Sequence, residues 1–202
     1  MSLLDTLNRP HCPQEKNKLY AQAINTIALY QNQLASTPHN LQAYTAEKAY
    51  QQMIDGLTLF CTLSDATAHI PPSIITVCDR IANHWHQTAL VPTHVDYHSA
   101  NLMVRRSPSS PTLGILDYQD VIMGPYHYDL ASLIFDHYIN HSSMEQNDWM
   151  KTFYQHHAHA YEQSFAAFQA SLATIAMQRH LKNLGVFTKL IRHGKTQYQK
   201  PI

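Results

Sequence analysis

Along the first ninety residues, apolar side chains recur at the spacing of helices that bury one face. Between Gln14 and Ala35 they fall at Tyr20, Ala23, Ile24, Ile27 and Leu34, and the run stops in Ser36-Thr37-Pro38-His39-Asn40. Tyr50, Met53, Ile54, Leu57 and Phe60 predict a second helix with Thr45 as its cap and an exit at Ser64-Asp65. Pro71 and Pro72 suit the first turn of a third helix, where a missing amide costs nothing, with Ile74, Cys78, Ile81 and Trp85 on its inner side.

At Val91 the pattern changes. Leu102-Met103-Val104 and Leu113-Gly114-Ile115-Leu116 are short apolar runs on either side of RRSPSSPT, whose prolines and serines predict the turn of a β-hairpin. Beyond Gly124-Pro125 the helical spacing returns, from Asp129 to about Asn140, from about Asp148 to Phe168 and from about Ser171 to Arg192. The expected fold is α+β and mostly helical. It is read as one domain over 1–202, helical in 1–90, with loop and hairpin in 91–125 and helical again in 126–202.

Composition narrows this by exclusion. Lys+Arg and Asp+Glu each total 14, with no basic stretch interleaved with aromatics, so nucleic acid is not an expected partner. Cys12, Cys61 and Cys78 are odd in number and widely spaced, which suggests neither a disulfide framework nor a thiolate zinc site and fits a reducing, cytoplasmic setting. No window approaches the roughly 20 apolar residues that span a bilayer, so no membrane association is expected. The 15 histidines include His84 and His86, and His156, His157 and His159. On a helix only His156 and His159 would share a face, no third ligand lies at a suitable spacing, and these histidines are read as surface polarity.

The candidate chemistry lies in His94-Val95-Asp96-Tyr97-His98-Ser99-Ala100-Asn101, followed by the hairpin and then Leu116-Asp117-Tyr118-Gln119-Asp120. Antiparallel strands return to the same end, so Asn101, entering the first strand, becomes a neighbour of Asp117, leaving the second. An amide oxygen beside a carboxylate is a hard-oxygen pair suited to Mg²⁺, which takes one or two protein ligands and completes its shell with water and phosphate. Asp96, in the same loop, points at the same site. One carboxylate to take a hydroxyl proton and two ligands for a metal that neutralises phosphate are the parts of a phosphoryl-transfer site. Gly194-Lys195-Thr196 looks like the end of a phosphate loop, but the position needing the first glycine is Lys189, so Gly194 is read as a helix cap. Tyr118 and Tyr126 are read either as rings that stack on a sugar or as core residues.

H-x-D-x-x-x-x-N followed by an aspartate at a strand end resembles the catalytic and metal motifs of the protein-kinase-like superfamily. His98, LDYQD in place of DFG, and GPYHYDLASL look like its aminoglycoside phosphotransferase branch. LDYQDVIMGPYHYDLASL and QRHLKNLGVFTKLIRHGKTQY are similar to the anomeric kinases of N-acetylmuramate and N-acetylglucosamine that act in peptidoglycan recycling. Ala100, where those kinases often carry arginine, and Asp55-Gly56, where a glutamate is expected, depart from the pattern. The resemblance implies Asp96 as catalytic base, Asn101 and Asp117 as metal ligands, and His94 as a support of the loop. Asp129 reads first as a helix N-cap, and the resemblance makes it a brace of the same loop through backbone hydrogen bonds. His98, Tyr118, Gln119 and Asp120 are candidates for the substrate side, and ATP, Mg²⁺ and an amino sugar or aminoglycoside are the implied reactants.

Such kinases also need a small lobe whose flexible loop covers the ATP phosphates. The five glycines are Gly56, Gly114, Gly124, Gly185 and Gly194, so no G-x-G-x-x-G is present. The chain is therefore expected to be the C-terminal lobe of a protein-kinase-like fold without its N-terminal nucleotide lobe, with weak or no ATP binding alone. A gene remnant, one half of a split kinase and an excised domain all remain open. So do a non-catalytic, pseudokinase-like binding module and a metal-dependent phosphohydrolase as alternatives to the kinase. The surface left by the missing lobe is expected to be apolar in part and to draw a second copy or a small-lobe partner.

Overall fold

Where the chain has a cap and a periodic stripe, it forms the element those signals call for. The computed structural model describes residues 1–9, 13–36, 40–63, 67–105, 112–162 and 164–195. In chain order these form α1 (Leu3–Leu7), α2 (Pro13–Ala35), α3 (Ala46–Cys61), α4 (Pro72–Gln87), β1 (Leu90–Thr93), β2 (Leu102–Arg105), β3 (Thr112–Ile115), β4 (Ile122–Pro125), α5 (Tyr128–Ile134), α6 (Ser143–His156) and α7 (Phe165–Arg192). Single 3-10 turns lie at Tyr118–Asp120 and Ala158–Ala160. The fold is a mostly helical α+β arrangement with two small antiparallel sheets, β1 with β4 and β2 with β3. No described helix is long and apolar enough to cross a membrane.

The chain packs as two compact units. The first comprises Met1–Ala43 and Ala89–Leu172, and the second Tyr44–Thr88 and Ala173–Ile202. In the first unit, α2 buries Tyr20, Ala23, Ile24 and Ile27 as its stripe predicts, while Leu34 is half-buried. Tyr20 stacks on Trp149 of α6 with ring centroids 3.9 Å apart, and its hydroxyl meets His141 Nε2 at 2.8 Å. The ladder of β2 and β3 runs from Leu102 opposite Ile115 to Arg105 opposite Thr112, the hairpin expected from the two apolar runs. Met1 and Ser2 line the other edge of β2, Val104 N donating to Met1 O at 2.9 Å.

In the second unit, Thr45 caps α3 by accepting from Lys48 N, and Pro71 and Pro72 open α4. Met53, Leu57, Cys78 and Ile81 form its buried core, with Tyr50, Ile54, Ile70, Leu181 and Leu184 packed around them. Each fully buried aliphatic side chain of this kind contributes about 1.5–3 kcal/mol. Phe60 and Ile74, at the edges of their stripes, are each 37 % exposed, so the buried faces are narrower than the sequence spacing implies. Gly56 of α3 explains itself here: a Cβ would collide with the Leu181 carbonyl, and a Cβ on Gly185 of α7 would fall 2.6 Å from Gly56 Cα. The missing side chains let two helix backbones touch.

Other expectations need correction. No strand was expected at β1 or β4. Both are four-residue segments, and Pro92 within β1 obscures the pattern because proline belongs to edge strands. The helix expected to reach Asn140 ends at Ile134, because the chain turns there and Asp136 Oδ1 accepts from Tyr138 N at 3.0 Å. The next helix begins at Ser143, not Asp148, under a capping box of Ser142 and Glu145. It stops at His156 instead of running to Phe168, and α7 starts at Phe165, not Ser171, with Ser164 Oγ accepting from Ala167 N. Ser171 is buried mid-helix against His127. His157 is not surface polarity: it is buried and bonded to Gln31 Oε1 at 2.8 Å. Gly194 has φ +80°, the left-handed conformation of a helix stop. The hairpin turn over 106–111, the helix stop at 37–39, the exit at Ser64-Asp65, Cys12 and Thr196 lie outside the described residues.

Candidate functional site

The loop His94–Asn101 joins β1 to β2 within the first unit, and its backbone is held by side chains from elsewhere. Val95 has φ +75°, a left-handed conformation that is costly for a β-branched residue. Such a conformation costs about 1–3 kcal/mol and persists only where its surroundings dictate it. Here they do. Asp129 accepts from His94 N at 2.7 Å and from Val95 N at 2.9 Å, and Ser132 Oγ donates to Val95 O at 3.3 Å. The kinked backbone leaves Asp96 exposed just beyond the clamp.

Asp129 is not an N-cap. His127 occupies that position, and Asp129 is the second residue of α5, fully buried, with a further hydrogen bond from the Tyr30 hydroxyl. Burial pushes its carboxyl above the ordinary range, while the Tyr30 hydroxyl and the His94 and Val95 amides pull the other way. Three donors and no acceptor surround this carboxyl group, an arrangement suited to an acceptor-only carboxylate.

His94 is buried, and its Nε2 lies 2.6 Å from Leu116 O. A carbonyl can only accept, so Nε2 carries the hydrogen. The ring thus ties the start of the loop to the residue just before Asp117. Leu116 N in turn donates to Asn101 O at 2.9 Å, extending the β2–β3 ladder by one pair. Asn101 therefore sits opposite Leu116, with Asp117 next in the chain. Asn101 Nδ2 donates to Asp96 O at 3.1 Å, which leaves the amide oxygen out of that bond. Asp117 is exposed, has φ +57° and makes no capping bond.

This donor set fits Mg²⁺ in one respect: one amide oxygen and one exposed carboxylate at an open surface leave room for water and phosphate oxygens. Among the described residues no group of three or more His, Cys, Asp or Glu side chains could hold a metal unaided. A metal here would fill the rest of its shell with water and phosphate oxygens.

Tyr118, Gln119 and Asp120 form the 3-10 turn after Asp117, and all are exposed, Tyr118 by 72 %. Beneath Tyr118 lies an apolar cavity of about 110 Å³ lined by Tyr30, Leu34, His94, Ile115, Tyr118 and Val121. His98 is half-buried with its ring 5.6 Å from that of Tyr138. Tyr126 is a core residue: it is buried between His127 and Tyr161, with centroids 4.2 and 4.4 Å away, and no sugar can reach its face. The fold thus brings together the backbone of His94, Asp96 and Asn101, the ring of His94, the carboxylate of Asp129 and the strand end carrying Asp117. Four further participants had no sequence signal: Tyr30, Ser99, Ser132 and Asp136. Ser132 and Asp136 belong to YDLASLIFD, where helical spacing alone does not show that they reach back to the loop.

The chain belongs to the phosphotransferase enzyme family, whose sequence pattern matches residues 8–185. In sequence it is similar to the N-acetylmuramate/N-acetylglucosamine kinase of Pseudomonas putida, 33% identical over 112 residues, which are 54% of this chain and 32% of that protein. The kinase of the same name from Neisseria meningitidis serogroup B is 33% identical over 116 residues, 55% of this chain and 34% of its own length. That from Pseudomonas aeruginosa is 29% identical over 126 residues, 60% and 36%. The matched segments are thus about a third of these curated relatives. In fold, the chain resembles a Plasmodium vivax ethanolamine kinase with a TM-score of 0.58 and 11% identity, over 93% of this chain and 62% of that one.

Proposed function

We propose that this chain carries the acceptor and metal side of an ATP-dependent phosphotransferase acting on a hydroxyl of an amino sugar. The observation that supports the reading is the Asn101–Leu116 pair, which makes Asp117 the residue after the partner of Asn101, at the end of the loop that presents Asp96. In this reading the Asp96 carboxylate takes the proton of the sugar hydroxyl, whose oxygen bonds to the γ-phosphorus of ATP as the bond to the β-phosphate oxygen breaks and ADP leaves. Asn101 and Asp117 would hold Mg²⁺, which neutralises phosphate charge when bound. His94 and Asp129 support the loop, and His98, Tyr118, Gln119 and Asp120 are the candidates for contacts to the acceptor.

The names of the relatives make N-acetylmuramate and N-acetylglucosamine the first acceptors to assay. The chain's five glycines provide no loop to cover the nucleotide, so the reading includes a small lobe supplied by another polypeptide segment. The apolar surface around Tyr118 and Leu116, 72 % and 46 % exposed, is its proposed seat. With that lobe present, Mg²⁺-dependent phosphorylation of one of the two sugars is expected, and Asp96→Asn should reduce kcat by at least about 100-fold, as loss of a general base does. No turnover on either sugar, or an Asp96→Asn protein as fast as the parent, would sink the proposal. The same glycine count favours a second reading, a pseudokinase-like module that binds without catalysis; tight Mg-ATP binding by the isolated chain would argue against it.

A further inference from the structure

We infer that Asp136, acting through Ser99, is a positioning residue that sets the orientation of Asn101; the inference rests on the metal role proposed for Asn101. Asp136 lies just past the end of α5, is buried, and has both carboxylate oxygens engaged. Oδ2 accepts from Ser99 N at 2.9 Å and from Ser99 Oγ at 2.5 Å, and Oδ1 accepts from Tyr138 N at 3.0 Å. Ser99 O accepts from Leu4 N at 3.0 Å, so every polar atom of this fully buried serine is fastened.

Only Ala100 separates Ser99 from Asn101. Asn101 N donates to His98 O at 2.9 Å, and its Nδ2 donates to Asp96 O. With the preceding turn locked and Nδ2 bonded to Asp96 O, the amide group has little freedom. Two buried carboxylates, one in the first turn of α5 and one just past its end, thus divide the loop. Asp129 holds His94 and Val95, the segment ahead of Asp96, and Asp136 holds Ser99, the segment ahead of Asn101. A carboxylate suits the second position as it suits the first. It accepts three hydrogen bonds at once, and bonds to an ionised acceptor are about twice as strong as neutral ones. An asparagine there would turn one NH₂ group toward N–H and O–H donors.

Mn²⁺ titrated into the 202-residue chain, followed by the loss of its free-ion electron paramagnetic resonance signal, tests this, together with hydrogen exchange of the loop amides. Asp136→Asn and Ser99→Ala should each weaken Mn²⁺ binding about tenfold, the effect of losing a partner that orients a ligand. The Ser99 to Asn101 amides should exchange faster, while the Val95 amide, held by Asp129, keeps its protection. Ser99→Ala deletes one hydroxyl and keeps the backbone bond, so it reports even if Asp136→Asn fails to fold. Unchanged Mn²⁺ affinity in both variants, against a parent that binds, overturns the positioning role alone. A parent that takes up no Mn²⁺ overturns the metal reading and with it the role given to Asn101.

Discussion

The two units of this chain are held by different means. The second unit is built by apolar packing and one close backbone crossing: Met53, Leu57, Cys78 and Ile81 fill its core, and Gly56 meets Gly185. The first unit also has an apolar interior, but around the loop it buries carboxylates and hydroxyls beside a half-buried, left-handed valine. Buried polar groups cost free energy unless each finds a partner, and strained residues cost more. Packing alone is the less demanding route to stability, and the second unit follows it for the most part, with Gln178 buried and its Nε2 donating to the Tyr44 hydroxyl and the Ala49 carbonyl. The first unit departs from it at separate buried pairs, His157 with Gln31 and His127 with Ser171, and most fully at the segment that presents Asp96 and Asn101. That concentration of hydrogen-bonded buried carboxylates and backbone strain supports the site proposed there.

Removing the acceptor at the centre of that network should have the largest effect on stability. Asp129→Ala leaves the His94 amide, the Val95 amide and the Tyr30 hydroxyl without their common partner. At about 1–3 kcal/mol for each orphaned donor, and with water able to reach some of them, a loss of about 4 kcal/mol is expected in urea unfolding. A loss below about 1 kcal/mol would mean that the clamp is dispensable, and the contrast between the units would fall with it.

The second unit should break in its own way. Gly56→Ala places a methyl group against the Leu181 carbonyl, where backbone and not a flexible side chain stands in the way. The helices must separate, at about 2–3 kcal/mol, the range for overpacking a tight interior. Neutrality, or a gain from the better helix propensity of alanine, would show that the crossing is loose. Gly56 is also one of the positions where the sequence departs from the sugar-kinase pattern, and close approach gives it a packing reason of its own.

Which parts of this were legible in the sequence follows from whether the signal is local. Thr45, Pro71-Pro72 and Gly194 act on their own neighbours in the chain, and the elements follow them. The hairpin was legible for the same reason, and because strands return to the same end it carried Asn101 opposite Leu116, the residue before Asp117. Ser142 and Glu145 are a legible signal too, a capping box three residues apart, and the helix obeys it in place of the later start at about Asp148. Asp136 and Tyr30 were not. Their partners lie 37 and 99 residues away, and no periodicity encodes a hydrogen bond across that distance. The same long reach cut α5 short, since Asp136 meets Ser99 only after the chain has left the helix.

The smallest expected effect is also the most direct test of stored strain. Glycine enters the left-handed region freely, so Val95→Gly relieves the cost of φ +75°. Against that gain stand the extra freedom of glycine in the unfolded chain, about 0.5–1 kcal/mol, and the loss of a half-buried side chain. The terms should nearly cancel, leaving Val95→Gly within about 1 kcal/mol of the parent. Val104→Gly supplies the contrast: Val104 is buried in the extended β2 strand, where there is no strain to relieve. Its cost should be about 3 kcal/mol, the sum of lost burial and added chain entropy. Equal costs for the two substitutions would mean that Val95 is not strained and that Asp129 and Ser132 merely accompany the loop. Unequal costs in the expected direction would show that their hydrogen bonds hold Val95 where its own preference would not.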